Sequence, residues 1–286
     1  MSAHNGKAAL AGVIGDPVSH SLSPMIHEYW IRKYKLNAAY VPLHVTSDRF
    51  EQTLSVLVDC GFSGFNITLP HKEHAYDLVS SVDLTAKICG SVNTIIVKKN
   101  GVLHGMNTDV YGFSQLLQPF ISNADQSKPF IIIGAGGAAR AVLLSATQAG
   151  YQHIIIANRT LEKAQLLQNS FAERFGDITY DAIGLNQLED AASDAAILVN
   201  CLSLHALDAI DVGALIHVTP LQTVCLDISY GKNGTYFTRV AKEHNRPCND
   251  GALMLLHQAA PAFEQWFKVN PAIDEPLIDL MHQSSS

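Results

Sequence analysis

Residues 130–141, Phe-Ile-Ile-Ile-Gly-Ala-Gly-Gly-Ala-Ala-Arg-Ala, constrain this chain more than any other stretch. Four large apolar residues run directly into a glycine-rich turn and then into small helix-forming residues. The pattern predicts a buried strand, a tight turn and a helix, which is how a dinucleotide-binding βαβ unit opens. Gly134 permits the turn, Gly136 lets the backbone approach a pyrophosphate, and Ala139 allows close packing of helix on strand. Ala135, Gly137 and Ala138 complete a turn whose helix start offers free N–H groups and a partial positive charge to phosphate oxygens. Gly150 reads as the residue that ends this helix. A glycine-rich turn without a ligand is the alternative; the strand before, the helix after and the next strand at 153–157 favour the dinucleotide.

At the end of that next strand stand Asn158, Arg159 and Thr160. A site specific for NAD would place an acidic residue here, on the ribose 2′-hydroxyl. Arg159, with Lys163 one helical turn further on, suits a 2′-phosphate, since a guanidinium donates two charge-assisted bonds from one plane. NADP is therefore expected, unless Arg159 is only a solvated surface residue. Further strands at 196–200 and 224–228, separated by helix-length segments, extend the series into a parallel sheet with right-handed crossovers.

The first third reads as α/β as well. Strands are expected at 9–14, 40–45, 64–68, 92–98 and 102–106, with hairpin chemistry at Lys99-Asn100-Gly101. Helices are expected at 24–34, 48–60 and 70–79, and helical patterning resumes at 253–267. The polar segment 123–129 reads as the loop entering the second series.

Composition narrows the function classes. A chain of 286 residues with 48% hydrophobic residues can bury two cores. Only 16% of residues are charged and the net charge is -7, which disfavours nucleic acid and anionic membrane surfaces as partners. The five cysteines show no CxxC spacing, so reduced thiols of a cytoplasmic protein are expected rather than disulfides or zinc. The apolar run before Asp16 is too short to span a bilayer and reads as a first strand, not a targeting segment. His71 and His74 share a helix face without a third ligand, so no metal is expected. Low complexity is confined to the serines at 284–286.

Candidate chemistry clusters at strand ends. In GFNITLPHK (64–72), Thr68 ends a strand and Pro70 suits the first turn of a helix, which would carry Lys72. A cation there opposes the helix dipole, which suits a proton donor and acceptor; an exposed, inert lysine is the other reading. Asp109, in GMNTD (105–109), could pair with Lys72, or simply cap the helix beginning at Val110. Ser23 with Pro24 reads as N-cap and first helical residue, which leaves the clustering of Ser19, His20, Ser21 and Ser23 unexplained.

Together, segments 12–24 (GVIGDPVSHSLSP), 64–72, 90–95 (GSVNTI), 105–113, 131–141, 157–160 and 250–266 resemble the shikimate dehydrogenase family over nearly the whole chain. The S-x-S-P, N-x-T-x-P-x-K and N-T-D segments carry the resemblance in combination; the glycine motif does not. The resemblance implies an N-terminal α/β substrate-binding domain with a mainly parallel mixed sheet (1–108 plus 251–286). Between its two pieces lies an inserted Rossmann NADP-binding domain (109–250). It implies reversible hydride transfer between NADP(H) and C3 of a cyclohexene carboxylate, interconverting 3-dehydroshikimate and shikimate. Lys72 and Asp109 would be the catalytic pair. Ser21 and Ser23 would bind the substrate carboxylate, bordered by Tyr230, and Thr68, Asn93, Asp109 and Gln258 the ring hydroxyls. The partners implied are a small-molecule substrate and, at most, a second copy of the chain. The chain departs from the family at Asn200-Cys201-Leu202-Ser203-Leu204, where a small turn followed by glycine is usual. A quinate/shikimate enzyme of broader specificity and a metabolite sensor without activity are the alternatives; retention of Lys72 and Asp109 argues against the sensor.

Overall fold

A computed structural model describes residues 5–284; Ser285 and Ser286 of the terminal serine run lie outside the described residues. The chain forms two compact units. One takes the chain up to Gly112 and resumes at Leu255; the other is Phe113–Met254. The two crossings fall inside helices, Asp109–Ile121 and Ala252–Phe267.

Among the described residues, twelve strands are formed. The first unit holds β1 (Ala9–Gly15), β2 (Ala38–His44), β3 (Phe62–Ile67), β4 (Ser81–Val82), β5 (Thr94–Val97) and β6 (Leu103–Met106). The second holds β7 (Phe130–Ile133), β8 (His153–Asn158), β9 (Thr179–Gly184), β10 (Ile197–Asn200), β11 (Val224–Asp227) and β12 (Cys248–Asn249).

The first sheet runs β2-β1-β3-β5-β6-β4 and is mixed. β1 lies parallel between β2 and β3, whereas β5 is antiparallel to both β3 and β6. The reversal from β5 to β6 follows from local sequence. Asn100 and Gly101 both take positive φ, 67° and 76°, and close a tight hairpin from β5 to β6. Ile14, Phe50, Leu54, Phe65, Ile67, Val92 and Ile95 fill one core of this unit. The helix Ala252–Phe267 is fastened to the same sheet by the Trp266 indole N–H, which donates to the Ile95 carbonyl at 3.0 Å.

The second sheet runs β12-β11-β10-β7-β8-β9 with every pairing parallel. Its order, counted within the unit, is that of a Rossmann fold, with the reversal of winding at β7 and β10. β7 is fully buried, as a strand covered on both faces must be. The helix Gly137–Gln148 ends as expected: Gly150 has φ 90°, its N–H meets the Thr147 carbonyl, and the Tyr151 N–H returns to Ala146.

Three local expectations differ from the structure. The helix expected from Pro70 begins at Lys72; the His71 N–H returns to the Thr68 carbonyl, so 68–71 is a turn with Pro70 inside it. The helix expected to be capped by Ser23 takes Leu22 as its cap and Ser23 as its first residue. There the Ser21 hydroxyl accepts the Ser23 N–H at 3.3 Å, doing the work assigned to Ser23. Strands β4, β9 and β12 carry no recognisable apolar run: two are two residues long, and β9 is an edge strand with exposed Thr179 and Asp181.

Candidate active site

The first unit gathers its polar side chains where β3 and β6 end and β5 begins. β3 leads through the 68–71 turn into the helix Lys72–Leu78. That turn is held by His71, whose Nε2 lies 2.6 Å from the Val45 carbonyl and whose ring stacks on Phe50 at 4.5 Å. A carbonyl only accepts, so Nε2 carries the hydrogen. Burial pushes the His71 imidazole below its ordinary pKa, only partly offset by the Val45 bond, and keeps it neutral.

Lys72 Nζ donates to Asp109 Oδ2 at 2.6 Å, and both side chains are largely buried. Asp109 is the first residue of its helix, not the cap, and its carboxylate is turned toward the site. Its other oxygen accepts Asn93 Nδ2 at 2.8 Å, and the same nitrogen lies 3.3 Å from Gln258 Oε1. The structure thus joins Lys72, Asp109, Asn93 and Gln258 in one hydrogen-bonded cluster. Asn93 Oδ1 accepts the Thr108 N–H at 2.8 Å, which fixes which end of its carboxamide faces Asp109.

Behind this cluster lies a buried network that sequence reasoning missed. Tyr40 donates to Asn66 Oδ1 (2.6 Å), Asn66 Nδ2 to Thr94 Oγ1 (3.1 Å), and Thr94 to Asn93 Oδ1 (3.2 Å). Every donor points the same way along the chain, toward Asn93 and so toward Asp109, an arrangement in which each bond polarises the next. Burial drives the Tyr40 hydroxyl well above its ordinary pKa, against a smaller opposing effect of Ser23. Thr68 follows β3 directly, its N–H on the Ile14 carbonyl. Asn66 and Thr108 stand inside the N-x-T-x-P-x-K and N-T-D segments and Thr94 beside Asn93, but residue type and spacing give none of them a role; Tyr40 had no signal at all.

In the second unit, Gly134 takes φ 119° and donates its N–H to Ala157 at 2.7 Å, which makes the tight turn glycine-dependent. A Cβ at Gly136 would meet no protein atom, and its φ is -88°. Neither packing nor backbone demands glycine there, and the space over it is open. Gly137 and Ala138 open the helix, and Ala139 is buried against the sheet. Asn158 Nδ2 donates to the Thr160 carbonyl at 2.8 Å, shaping the turn after β8, while Arg159 and Lys163 are exposed. The divergent segment after β10 packs on the glycine turn: Cys201 N–H bonds the Ile133 carbonyl, and Leu202 and Cys201 lie where a side chain at Gly134 would go. Tyr230 lies in the loop after β11, half-buried.

Comparison with known proteins agrees with both units. The profile of the shikimate dehydrogenase substrate binding domain matches residues 13–95, and that of shikimate / quinate 5-dehydrogenase matches residues 117–233. The chain is 38% identical over 269 residues to the shikimate dehydrogenase (NADP(+)) of Jannaschia sp. (strain CCS1), covering 94% of this chain and 95% of that protein. It belongs to the shikimate dehydrogenase family. Another family member, the shikimate dehydrogenase (NADP(+)) of Paramagnetospirillum magneticum, is 38% identical over 274 residues, covering 96% of this chain and 98% of that one. A crystal structure of a shikimate dehydrogenase in complex with NADP+ superposes with a TM-score of 0.86 at 31% identity, over 99% of this chain and 98% of that one. The α/β architecture with an N-terminal substrate-binding domain and a Rossmann-type domain is thus that of the family. Among the described residues, no helix is long and apolar enough to cross a membrane.

Proposed function

We propose that this protein is an NADP-dependent shikimate dehydrogenase that reversibly reduces 3-dehydroshikimate to shikimate. The observation that carries the assignment is the Lys72–Asp109 pair at 2.6 Å, held from the other side by Asn93. A cation able to give and take a proton, fixed by a carboxylate, is what reduction of a ketone to an alcohol needs beside the reacting oxygen. Lys72 Nζ gives a proton to the carbonyl oxygen in reduction and takes it back in oxidation. Asp109 aims the lysine and accepts from the reacting hydroxyl. Asn93, Gln258 and Thr68 are assigned to ring hydroxyls, Ser21 and Ser23 to the carboxylate, with Tyr230 bordering it.

The second unit fits NADP. The open face of Gly136 and the N–H groups of Ala135, Gly137 and Ala138 suit the pyrophosphate, and Asn158, Arg159, Thr160 and Lys163 suit the adenosine 2′-phosphate. When bound, NADP(H) supplies or accepts the hydride. Five free thiols accord with a reducing compartment, the cytoplasm, with the protein working as a monomer or homodimer.

The test is turnover of shikimate and of quinate, each with NADP+ and NAD+, followed by the near-ultraviolet absorbance of reduced cofactor. Fast reduction of NADP+ with shikimate alone supports the proposal. Comparable quinate turnover replaces it with the broader enzyme, and binding of shikimate without turnover in any combination replaces it with a sensor.

A further inference from the structure

Residues 91–93 are a hub for the strand-end loops of the first unit. The Val92 N–H donates to the Lys72 carbonyl at 2.9 Å, and the Asn93 N–H to the Met106 carbonyl at 3.1 Å. One further buried side chain ties this hub to the backbone of Asp109. Asn107 Nδ2 donates to the Ser91 carbonyl at 3.1 Å and to Ser91 Oγ at 3.0 Å, and its Oδ1 accepts the Asp109 N–H at 3.2 Å. As the first residue of its helix, Asp109 has an N–H with no intrahelical acceptor, so Asn107 supplies the missing one. The orientation of the carboxamide is forced. A backbone carbonyl only accepts and a backbone N–H only donates, so the amide nitrogen faces Ser91 and the oxygen faces Asp109. No other residue type of this size offers a donor and an acceptor at those two places.

We propose that Asn107 is a positioning residue for the Lys72–Asp109 pair, locking the Asp109 backbone to the 91–93 hub so that its two carboxylate oxygens meet Lys72 and Asn93. The inference rests on the catalytic roles proposed above for Lys72 and Asp109. Lys72 and Asn93 are each bonded to that hub or part of it, so Asn107 sets all three groups in one frame. Misplacement of a reacting group by about 1 Å can cost ~10²-fold in rate.

The experiment compares Asn107→Ala, Asn107→Asp, Asn107→Ser and Ser91→Ala in the full chain. It measures kcat and KM for shikimate with NADP+, NADP+ affinity by calorimetry, and the melting temperature. Asn107→Ala is expected to lower kcat roughly 10- to 100-fold, with KM for shikimate and NADP+ affinity changed less than about threefold. Asn107→Asp keeps the acceptor for Asp109 but sets an oxygen against the Ser91 carbonyl, and is expected to lose as much. Ser91→Ala leaves the Ser91 carbonyl in place and should stay within about twofold of the unaltered protein. Asn107→Ser, whose hydroxyl can still accept the N–H two residues on, should recover part of the rate and gives a folded comparison if Asn107→Ala does not fold. A native kcat per NADP+-binding molecule in Asn107→Ala or Asn107→Asp, with only the melting temperature lowered, overturns the proposal. So does equal loss in Asn107→Ser and Asn107→Ala. Absence of shikimate turnover by the unaltered protein refutes the dehydrogenase reading instead, so the two failures are distinct.

Discussion

If Lys72 and Asp109 act as one device, removing both should cost little more than removing one. Their side chains are 17% and 7% exposed and 2.6 Å apart, so the pair is largely, though not fully, dry. Removing one partner of a buried ion pair costs about 3–5 kcal/mol, and the access of Lys72 to water reduces that to roughly 2–4 kcal/mol. Placed wholly on the transition state, this is about a 30- to 1000-fold loss of kcat for Asp109→Asn. Lys72→Ala removes the proton carrier itself, and ~10²- to 10⁴-fold is expected. Independent residues would multiply these losses, giving ~3 × 10³-fold or more in the double variant; residues of one unit would leave it within about tenfold of the slower single variant. The assay is NADPH formation from shikimate under saturating substrate, with calorimetric NADP+ binding as proof that the second unit is intact. Multiplicative losses, or a near-native kcat in Lys72→Ala, would refute the reasoning.

Two further outcomes follow from the geometry. Arg159→Ala removes up to two charge-assisted bonds to a 2′-phosphate, so NADP+ affinity should fall roughly 10- to 100-fold while NAD+ affinity barely moves; an unchanged preference would free Arg159 of this role. His27 is fully buried, stacked on Tyr40 at 4.0 Å, and neither ring nitrogen has a well-formed hydrogen-bond partner. Burial, against a smaller opposing effect of Asn66, lowers its pKa from 6.5 to about 3. The unfolded chain therefore takes up a proton that the folded chain refuses, and stability present above pH 6.5 is lost as the pH falls toward 3. By about pH 4 the loss is on the order of 3 kcal/mol. In His27→Phe, urea unfolding followed by Trp30 and Trp266, the two tryptophans and both in the first unit, should depend much less on pH in this window. A parallel pH dependence in the variant would show that other groups set the acid limit.

Much of the fold was legible because its signals are local. The alternation of apolar runs with helical patterning announced both sheets, and the run from Phe130 into Gly134 announced the strand, turn and helix that open the second. Gly134, Gly150 and the turn at Asn100-Gly101 were readable because each answers a backbone requirement within a few residues. Ser23 and Pro70 were misplaced for the opposite reason. Each has good helix-start chemistry, but Ser21 captured the Ser23 N–H, and the Thr68–His71 bond closed a turn around Pro70. Strand β9 stayed hidden because, at a sheet edge, it keeps polar residues on its exposed positions.

The sequence by itself determined that this chain is a two-unit α/β protein with a glycine turn between a buried strand and a helix, an arginine where an NAD site would place an acidic residue, and a lysine and an aspartate near strand ends. These depend on periodicity, backbone demands and residue type, which a linear string displays. Only the tertiary structure decided that Lys72 and Asp109, 37 positions apart, meet at 2.6 Å, and that Tyr40, Asn66, Thr94, Asn93 and Asn107 order the space behind them. A buried polar group is stable only when its partners arrive from other strands, and which partners arrive is set by sheet order and register.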